Sequence, residues 1–300
     1  MYFISALIFC LSLTTVFAKN CEDISGIWRN QLGSNMTIIQ TSQNRFTGEY
    51  ITAVESKLRA SLVTSNLTGI HMPVEGGALI SFSVLFNHGK SLTTWVGQCM
   101  VCDGEEVLFT TWSLRNHFVK PIDRWMSMRI HQDTFKRMDG SFTPIPSHLR
   151  GPSRKDKKSY DCEKDINVGL NGMWVSEKDD VLRFTDCFES GIFTGFNRDS
   201  ALFGRIGGGG PFTAFGFVSA SNENIKGWTG HIYDSSTEKR KMDTTWLSHG
   251  FSNSCKDPTS LVRFGVDNYV FTYGYEVAEK KEVKVPIWRR GFNYLKSIFQ

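Results

Sequence analysis

The sequence predicts an all-β protein built as two tandem antiparallel barrels, and three observations carry that expectation. First, residues 21–137 are a succession of short β-branched and aromatic runs, each closed by Gly, Asn or Ser clusters, with no sustained helical period. Second, those runs alternate. Tyr50, Thr52 and Val54 share parity, as do Ser91, Thr93 and Trp95, and again Thr110, Trp112 and Leu114. Each strand thereby offers one mixed polar and aromatic face, which is what the interior of a small ligand-holding barrel requires. Third, the pattern returns after a polar linker. Gly172-Met-Trp174 echoes Gly26-Ile-Trp28, Ile192-Phe-Thr-Gly195 echoes Arg45-Phe-Thr-Gly48, Trp228-Thr-Gly230 echoes Trp95-Val-Gly97, and Thr244-Thr-Trp246 echoes Thr110-Thr-Trp112. From Thr244 onward the copies align without a gap, which sets Asp267 opposite Asp133. A chain of 300 residues has room for two such units at about 150 residues each.

At the N-terminus, residues 1–18 form an apolar run ending in Val-Phe-Ala, read as a secretory signal peptide cleaved after Ala18. It lacks a basic n-region, so a signal anchor is the alternative, but it is short for a membrane span of about 20 residues. No transmembrane segment is expected after cleavage. Cleavage removes Cys10 and leaves Cys21, Cys99, Cys102, Cys162, Cys187 and Cys255, an even set suited to disulfides in an oxidising compartment. The Cys99-Met-Val-Cys102 spacing also fits a CxxC motif, but no second pair lies at zinc spacing and no metal site is expected. The net charge of +4, from 34 basic and 30 acidic residues, gives no field that calls for nucleic acid.

The stretch from Ser25 to Thr37 is the most informative. Asn30, Leu32 and Ser34 share one parity and, on a strand running into a turn at Gly33, are expected to face one side. Turned inward, Asn and Ser each cost about 1–3 kcal/mol unless something hydrogen-bonds them, which points to a ligand.

With Cys21 before it and Arg45-Phe-Thr-Gly-Glu-Tyr50 after it, this stretch resembles avidin and streptavidin. The resemblance recurs at Thr93-Thr-Trp-Val-Gly-Gln-Cys99, at Val107 to Arg115 and at Arg124 to Phe135, in the family's order and spacing. It implies an eight-stranded antiparallel up-and-down β-barrel over 21–137 that holds biotin as a non-covalent ligand and uses no cofactor. It also implies a ligand set. Asn30, Ser34 and Tyr50 match the three donors to the ureido carbonyl, and Thr52 and Asp133 the acceptors for the two ureido N–H groups. Thr93 matches the residue that reaches the thioether. Trp95 and Trp112 match aromatic walls, with Leu32, Val54 and Leu114 filling around them, and Ser56 and Ser91 lie toward the carboxylate. Cys21 and Cys99 match a disulfide between the first and sixth strands; the pairing of Cys102, Cys162, Cys187 and Cys255 stays open.

Two departures stand out. Phe86 replaces a tryptophan wall, and Glu55-Ser-Lys57 occupies a loop where the family has small neutral groups. Trp125 matches the lid that the family lends to a neighbouring subunit, which implies a homo-oligomer: a dimer of tandem chains whose first barrels face each other. The aligned position in the second copy is Thr259.

Residues 138–161 collect Pro, Gly, Ser and basic residues and are expected to be a linker. The second copy, 162–275, is expected to be a degenerate avidin-like barrel. Counting from Trp174, the positions of Asn30, Leu32 and Ser34 become Ser176, Lys178 and Asp180, while Trp246 and Asp267 remain. That half is either structural or retuned to another ligand. In the tail, 276–300, Trp288, Phe292, Leu295 and Phe299 fall at helical spacing, consistent with a basic amphipathic helix or a packed extension. Asn35 and Asn66 head N-glycosylation sequons, with Asn35 expected at a solvent-facing hairpin.

No catalytic constellation is found. Asp133, His131 and Ser34 fail as a triad because His131 shares a strand with Asp133, away from the turn that carries Ser34. The reading is a secreted, extracellular, non-enzymatic biotin binder, against the alternative of an extracellular structural or interaction module of the same fold with weak or no biotin binding.

Overall fold

The computed structural model describes residues 21–42, 44–54, 64–86, 89–116, 123, 126–138, 170–187, 191–198, 200–207, 213–234 and 240–273. The expected signal peptide, most of the linker and the tail fall outside them.

The first barrel is formed by β1 (Gly26–Asn30), β2 (Asn35–Gln40), β3 (Arg45–Ile51), β4 (Ser65–Val74), β5 (Gly77–Phe86), β6 (Ser91–Cys102), β7 (Glu105–Asn116) and β8 (Met128–Arg137). The second is formed by β9 (Gly172–Ser176), β10 (Val181–Cys187), β11 (Ile192–Phe196), β12 (Ala201–Gly207), β13 (Thr213–Ala220), β14 (Asn224–Asp234), β15 (Arg240–Gly250) and β16 (Val262–Tyr273). Each strand pairs antiparallel with the next, and β1 with β8 and β9 with β16 close both sheets. Closure leaves no unpaired edge, which lets a barrel this small keep a polar interior without exposing backbone donors.

The repeat seen in the sequence is a repeat of register. Trp95 faces Trp112 across β6 and β7, and Trp228 faces Trp246 across β14 and β15. The Thr110 hydroxyl donates to the Asp133 carbonyl at 2.9 Å, and Thr244 to Asp267 at 2.9 Å. Trp28 and Trp174 are both fully buried, each sending its indole N–H back four residues, to Ile24 and Leu170. Truncating a tryptophan so placed costs about 3–5 kcal/mol.

The first barrel is closed off at the end holding the β6–β7 hairpin. The Arg137 guanidinium lies 4.5 Å from the Trp28 ring centroid and ion-pairs with Glu106, whose other oxygen accepts the Cys21 N–H at 2.9 Å. A Cys21–Cys99 disulfide fastens the segment before β1 to β6.

The barrels pack side by side. Ile70, Leu79 and Val96 of the first meet Phe203, Val218, Ile225 and Leu247 of the second in one buried cluster. The approach is close: a Cβ on Gly216 would lie 2.2 Å from Leu92 Cδ2 and 2.7 Å from Thr94 Oγ1, so a larger residue there would force the neighbouring side chains to move. Polar pairs pin the contact. Thr94 Oγ1 donates to the Trp228 carbonyl at 3.1 Å, the Ser113 and Thr229 hydroxyls lie 2.8 Å apart, and Arg115 reaches Thr245 at 2.9 Å and Asp243 at 3.6 Å. Gln98 and the Ser252 backbone exchange two hydrogen bonds, at 2.9 and 2.7 Å. A second disulfide joins Cys102 in the β6–β7 hairpin to Cys255 in the β15–β16 loop, and Cys187 is disulfide-bonded as well.

Those contacts set the relative direction of the barrels. Cys102 sits at the closed end of the first, whereas the β15–β16 loop corresponds to the β7–β8 loop at the first barrel's mouth. The two mouths therefore open in opposite directions.

Candidate functional site

The mouth of the first barrel begins at the turn after β1. Asn30 Oδ1 accepts the N–H groups of Leu32 at 3.1 Å and Ser34 at 2.8 Å, and Gly33 takes a φ of +89°, a conformation glycine adopts without strain. This turn breaks the strand's alternation. Asn30 and Ser34 come together, 5% and 1% exposed, while Leu32 projects outward at 55%. The expectation that Asn30, Leu32 and Ser34 share one face therefore does not hold for Leu32, because the side-chain-capped turn replaces the extended backbone that parity assumes.

The same bonds decide which way the polar atoms point. With Asn30 Oδ1 consumed by two backbone donors, its amide –NH2 is the group left for the interior. Ser34 Oγ accepts the Ala53 N–H at 3.0 Å, which leaves its hydroxyl proton free to donate. Tyr50, at the end of β3 and 3% exposed, sits within hydrogen-bonding reach of Ser34. Burial, reinforced by the Asp133 charge, raises the Tyr50 phenol well above its ordinary value, so it stays protonated and is a donor. Three side chains able to donate are thereby gathered around the β1–β2 turn.

Asp133 faces them from β8, 5% exposed. One oxygen accepts the Trp95 indole N–H at 3.2 Å and the other lies 3.5 Å from Gln31 Nε2. Gln31 had not been singled out from the sequence. It ties the β1–β2 turn to β8, accepting the Thr134 N–H at 2.8 Å, and its place between two ligand-set positions was the available signal.

Aromatic rings line the rest. Trp95 stacks on Phe82 with centroids 4.8 Å apart, and it meets Tyr50 at 5.3 Å and Trp112 at 6.5 Å. Phe86 packs edge-on against Tyr50 at 5.8 Å. Trp112 stacks on His131, which is exposed and engaged with its neighbour Gln132. The Trp112 indole nitrogen is buried with no hydrogen-bond partner among the described residues.

Other members of the expected set are more peripheral. Thr93 is 2% exposed and pairs with the half-buried Leu114 across β6 and β7, and Ser91 is half-buried beside Phe86. Thr52 is half-buried and caps its own loop, exchanging hydrogen bonds with Val54, which is 55% exposed. Ser56 and its neighbours Glu55 and Lys57, and the lid candidate Trp125, lie outside the described residues. Asn66 is exposed on β4; Asn35 opens β2 and is half-buried, paired with Arg29 and Ile51. Among the described residues no three His, Cys, Asp or Glu side chains cluster as a metal site, and no helix is long and apolar enough to cross a membrane.

The second barrel keeps the frame and changes the groups. Ser176 Oγ accepts from the N–H groups of Lys178 at 3.2 Å and Asp180 at 2.9 Å, the same turn that Asn30 makes with a longer side chain. Asp180, where the first barrel has Ser34, accepts the Tyr269 phenol at 2.9 Å. The exposed Lys178 ammonium bridges to Asp267 at 2.7 Å, and that bond raises the lysine pKa. Lys226 stands on β14 two residues before Trp228. Sequence reasoning passed it over, although it has the parity of Thr93 before Trp95.

An Avidin family model matches residues 18–138. Avidin-related protein 4/5 of Gallus gallus is 35% identical over 123 residues, 40% of this chain and 81% of that protein. Avidin of Gallus gallus is 34% identical over 126 residues, again covering 40% and 81%. Fibropellin-1 of Strongylocentrotus purpuratus is 35% identical over 124 residues, and the match spans 12% of that much longer protein. Among solved structures, Xenavidin is 38% identical with a TM-score of 0.37, covering 40% of this chain and 100% of that one. With two closed eight-stranded antiparallel barrels, and with avidin relatives of 34–35% identity matched over 81% of their length, the chain belongs to the avidin family.

Proposed function

We propose that the first barrel binds biotin non-covalently. What supports this reading is the grouping of three side chains able to donate, the Asn30 amide, the Ser34 hydroxyl and the Tyr50 phenol, with the buried Asp133 carboxylate and the Trp95 and Phe86 rings nearby. A cyclic urea presents a carbonyl oxygen and two N–H groups, and that arrangement complements it: the donors take the oxygen, and Asp133 with Thr52 accepts from nitrogen. Donors fixed before the ligand arrives polarise the carbonyl as an oxyanion hole would, with no bond broken. Asp133 adds a charge-assisted bond. Trp95, Trp112 and Phe86 cover the apolar ring system, and Thr93 reaches the thioether.

The second barrel does not share this activity, because Asp180, an acceptor, stands where the urea carbonyl needs the Ser34 donor, and the Asp267 carboxylate is taken up by the Lys178 ammonium. In this reading the chain is secreted after loss of 1–18. It also pairs with another copy, first barrel to first barrel, so that Trp125 of each covers the other's cavity.

Titration calorimetry of the mature chain with biotin tests the reading, and one molecule per chain is the expected result. Two equivalent sites, or none, would overturn it.

A further inference from the structure

The second barrel holds a cation in its cavity, and that cation belongs to the chain. Register fixes the place. In the first barrel Trp95 pairs with Trp112 and Thr93 with Leu114; in the second, Trp228 pairs with Trp246 and Lys226 with Ser248. Lys226 thus occupies the position of Thr93 on the inner face. Its Nζ lies 4.5 Å from the Trp228 ring centroid and 4.4 Å from that of Trp246, between the two indole faces. An ammonium within about 6 Å of one indole face is already attracted by the ring quadrupole, and here two faces meet it.

Charge around the lysine agrees with that placement. Asp180 and Asp267 both act on it in the direction that favours the ammonium, while burial and Lys178 oppose; burial is the larger effect, so the pKa falls below the ordinary lysine value. Asp180 is held in place by the Tyr269 phenol, which burial and the Asp180 charge keep protonated. Nothing in this arrangement suits a neutral urea. Its carbonyl would meet the Asp180 carboxylate in place of the Ser34 hydroxyl, and its ring would collide with the Lys226 stem.

We propose that Lys226 is an internal ligand, filling the second cavity with its own ammonium, and that the walls around it form a site for organic ammonium ions rather than for biotin. The inference does not depend on what the first barrel binds. It accounts for a barrel that keeps both tryptophans and the Asp267 carboxylate while losing the urea donors: those groups are the cage and counter-charge of a cation.

Two experiments test it. In the full-length mature chain, Lys226→Ala vacates the cage, and methylammonium and tetramethylammonium, followed by NMR of the indole N–H signals, should bind the variant at least about tenfold more tightly than the wild type. Lys226→Met, which fills the space without charge, should show no gain. A Lys226→Ala protein that keeps its native melting transition and gains no ammonium affinity would overturn the proposal. The second experiment needs no substitution. Acetic anhydride labelling of the wild type, read by peptide mass spectrometry, should modify Lys226 at least about tenfold more slowly than the exposed Lys136 and Lys256. Equal rates would show that the ammonium is not held in the cage.

Discussion

The Trp95 indole N–H donates to Asp133 Oδ2 at 3.2 Å, so the aromatic wall and the carboxylate of the first cavity are one unit. Removing the carboxylate therefore removes an acceptor for the ligand and releases the wall together. Asp133→Ala is expected to weaken biotin binding by about 2–3 kcal/mol or more, since a charged hydrogen bond is lost and a ureido N–H is left unpaired in a dry site. The corresponding Asp267→Ala should leave biotin affinity unchanged. Equal, small effects at both positions in competitive titrations would favour the structural-module reading.

Arg115 on β7 and Asp243 on β15 form an ion pair between barrels, with side chains only 7% and 2% exposed. Taking the cation from a buried pair is expensive, because the remaining carboxylate has little water to turn to. Arg115→Ala should destabilise the protein by about 3–5 kcal/mol in denaturant unfolding, and Asp243→Leu added to Arg115→Met should restore much of it. A loss below about 1 kcal/mol would show that this ion pair contributes little to holding the barrels together.

Both barrels and their repeat were legible in the sequence because alternation and turn chemistry are local, and two copies of one pattern corroborate each other. Parity marked Asn30 and Ser34 as facing a ligand, but their donor roles and that of Tyr50 were legible only through resemblance. Parity misplaced Leu32, since nothing in a strand pattern reveals that an Asn side chain will cap the turn and reverse the next two residues. The contact between barrels was hidden for a different reason. Thr94, Gln98, Ser113 and Arg115 are ordinary outward-facing strand residues, and a polar outer face reads the same whether it meets water or a second barrel. Lys226 was legible by its parity with Trp228, but a lysine pointing into a barrel runs against expectation until its cage is seen.

The disulfides give a third prediction. A non-reducing peptide map should show Cys21 joined to Cys99 and Cys102 to Cys255. Replacing Cys102 and Cys255 together by serine frees a loop of 153 residues and should lower stability by about 2–5 kcal/mol, read as a fall in the melting temperature. An unchanged melting temperature would mean that the barrels stay docked equally well without the bridge.

Acid sensitivity follows from two buried imidazoles. Burial holds His71 and His249 below the ordinary value of 6.5, the first near the Glu22 carbonyl and the second near that of Gly250. The unfolded chain therefore takes up these protons at a higher pH than the native state does. Their contribution to stability is complete above about pH 6.5 and is lost as the pH falls from there toward the lowered native values. The urea midpoint should be lower at pH 5.5 than at pH 7.5, and substitution of both histidines by glutamine should flatten the difference. A midpoint constant over that range would contradict the assignment, since surface carboxylates titrate nearer pH 4.

The two bridges also decide how the protein would answer a pulling force. Cys21–Cys99 short-circuits 78 residues and Cys102–Cys255 another 153, and only Met100 and Val101 lie between the two knots. Tension applied along the chain runs from Cys21 across to Cys99, through two residues to Cys102, and out at Cys255. Between Cys21 and Cys255 only the last residues of β6 carry that load, while β16 lies beyond Cys255 and outside the bypass. Unravelling the larger loop would release roughly 500 Å of chain at about 3.4 Å per residue, yet none of that length is available while the sulfurs stay joined. Between those two points the protein behaves as an inextensible tether whose slack is released only by a reductant.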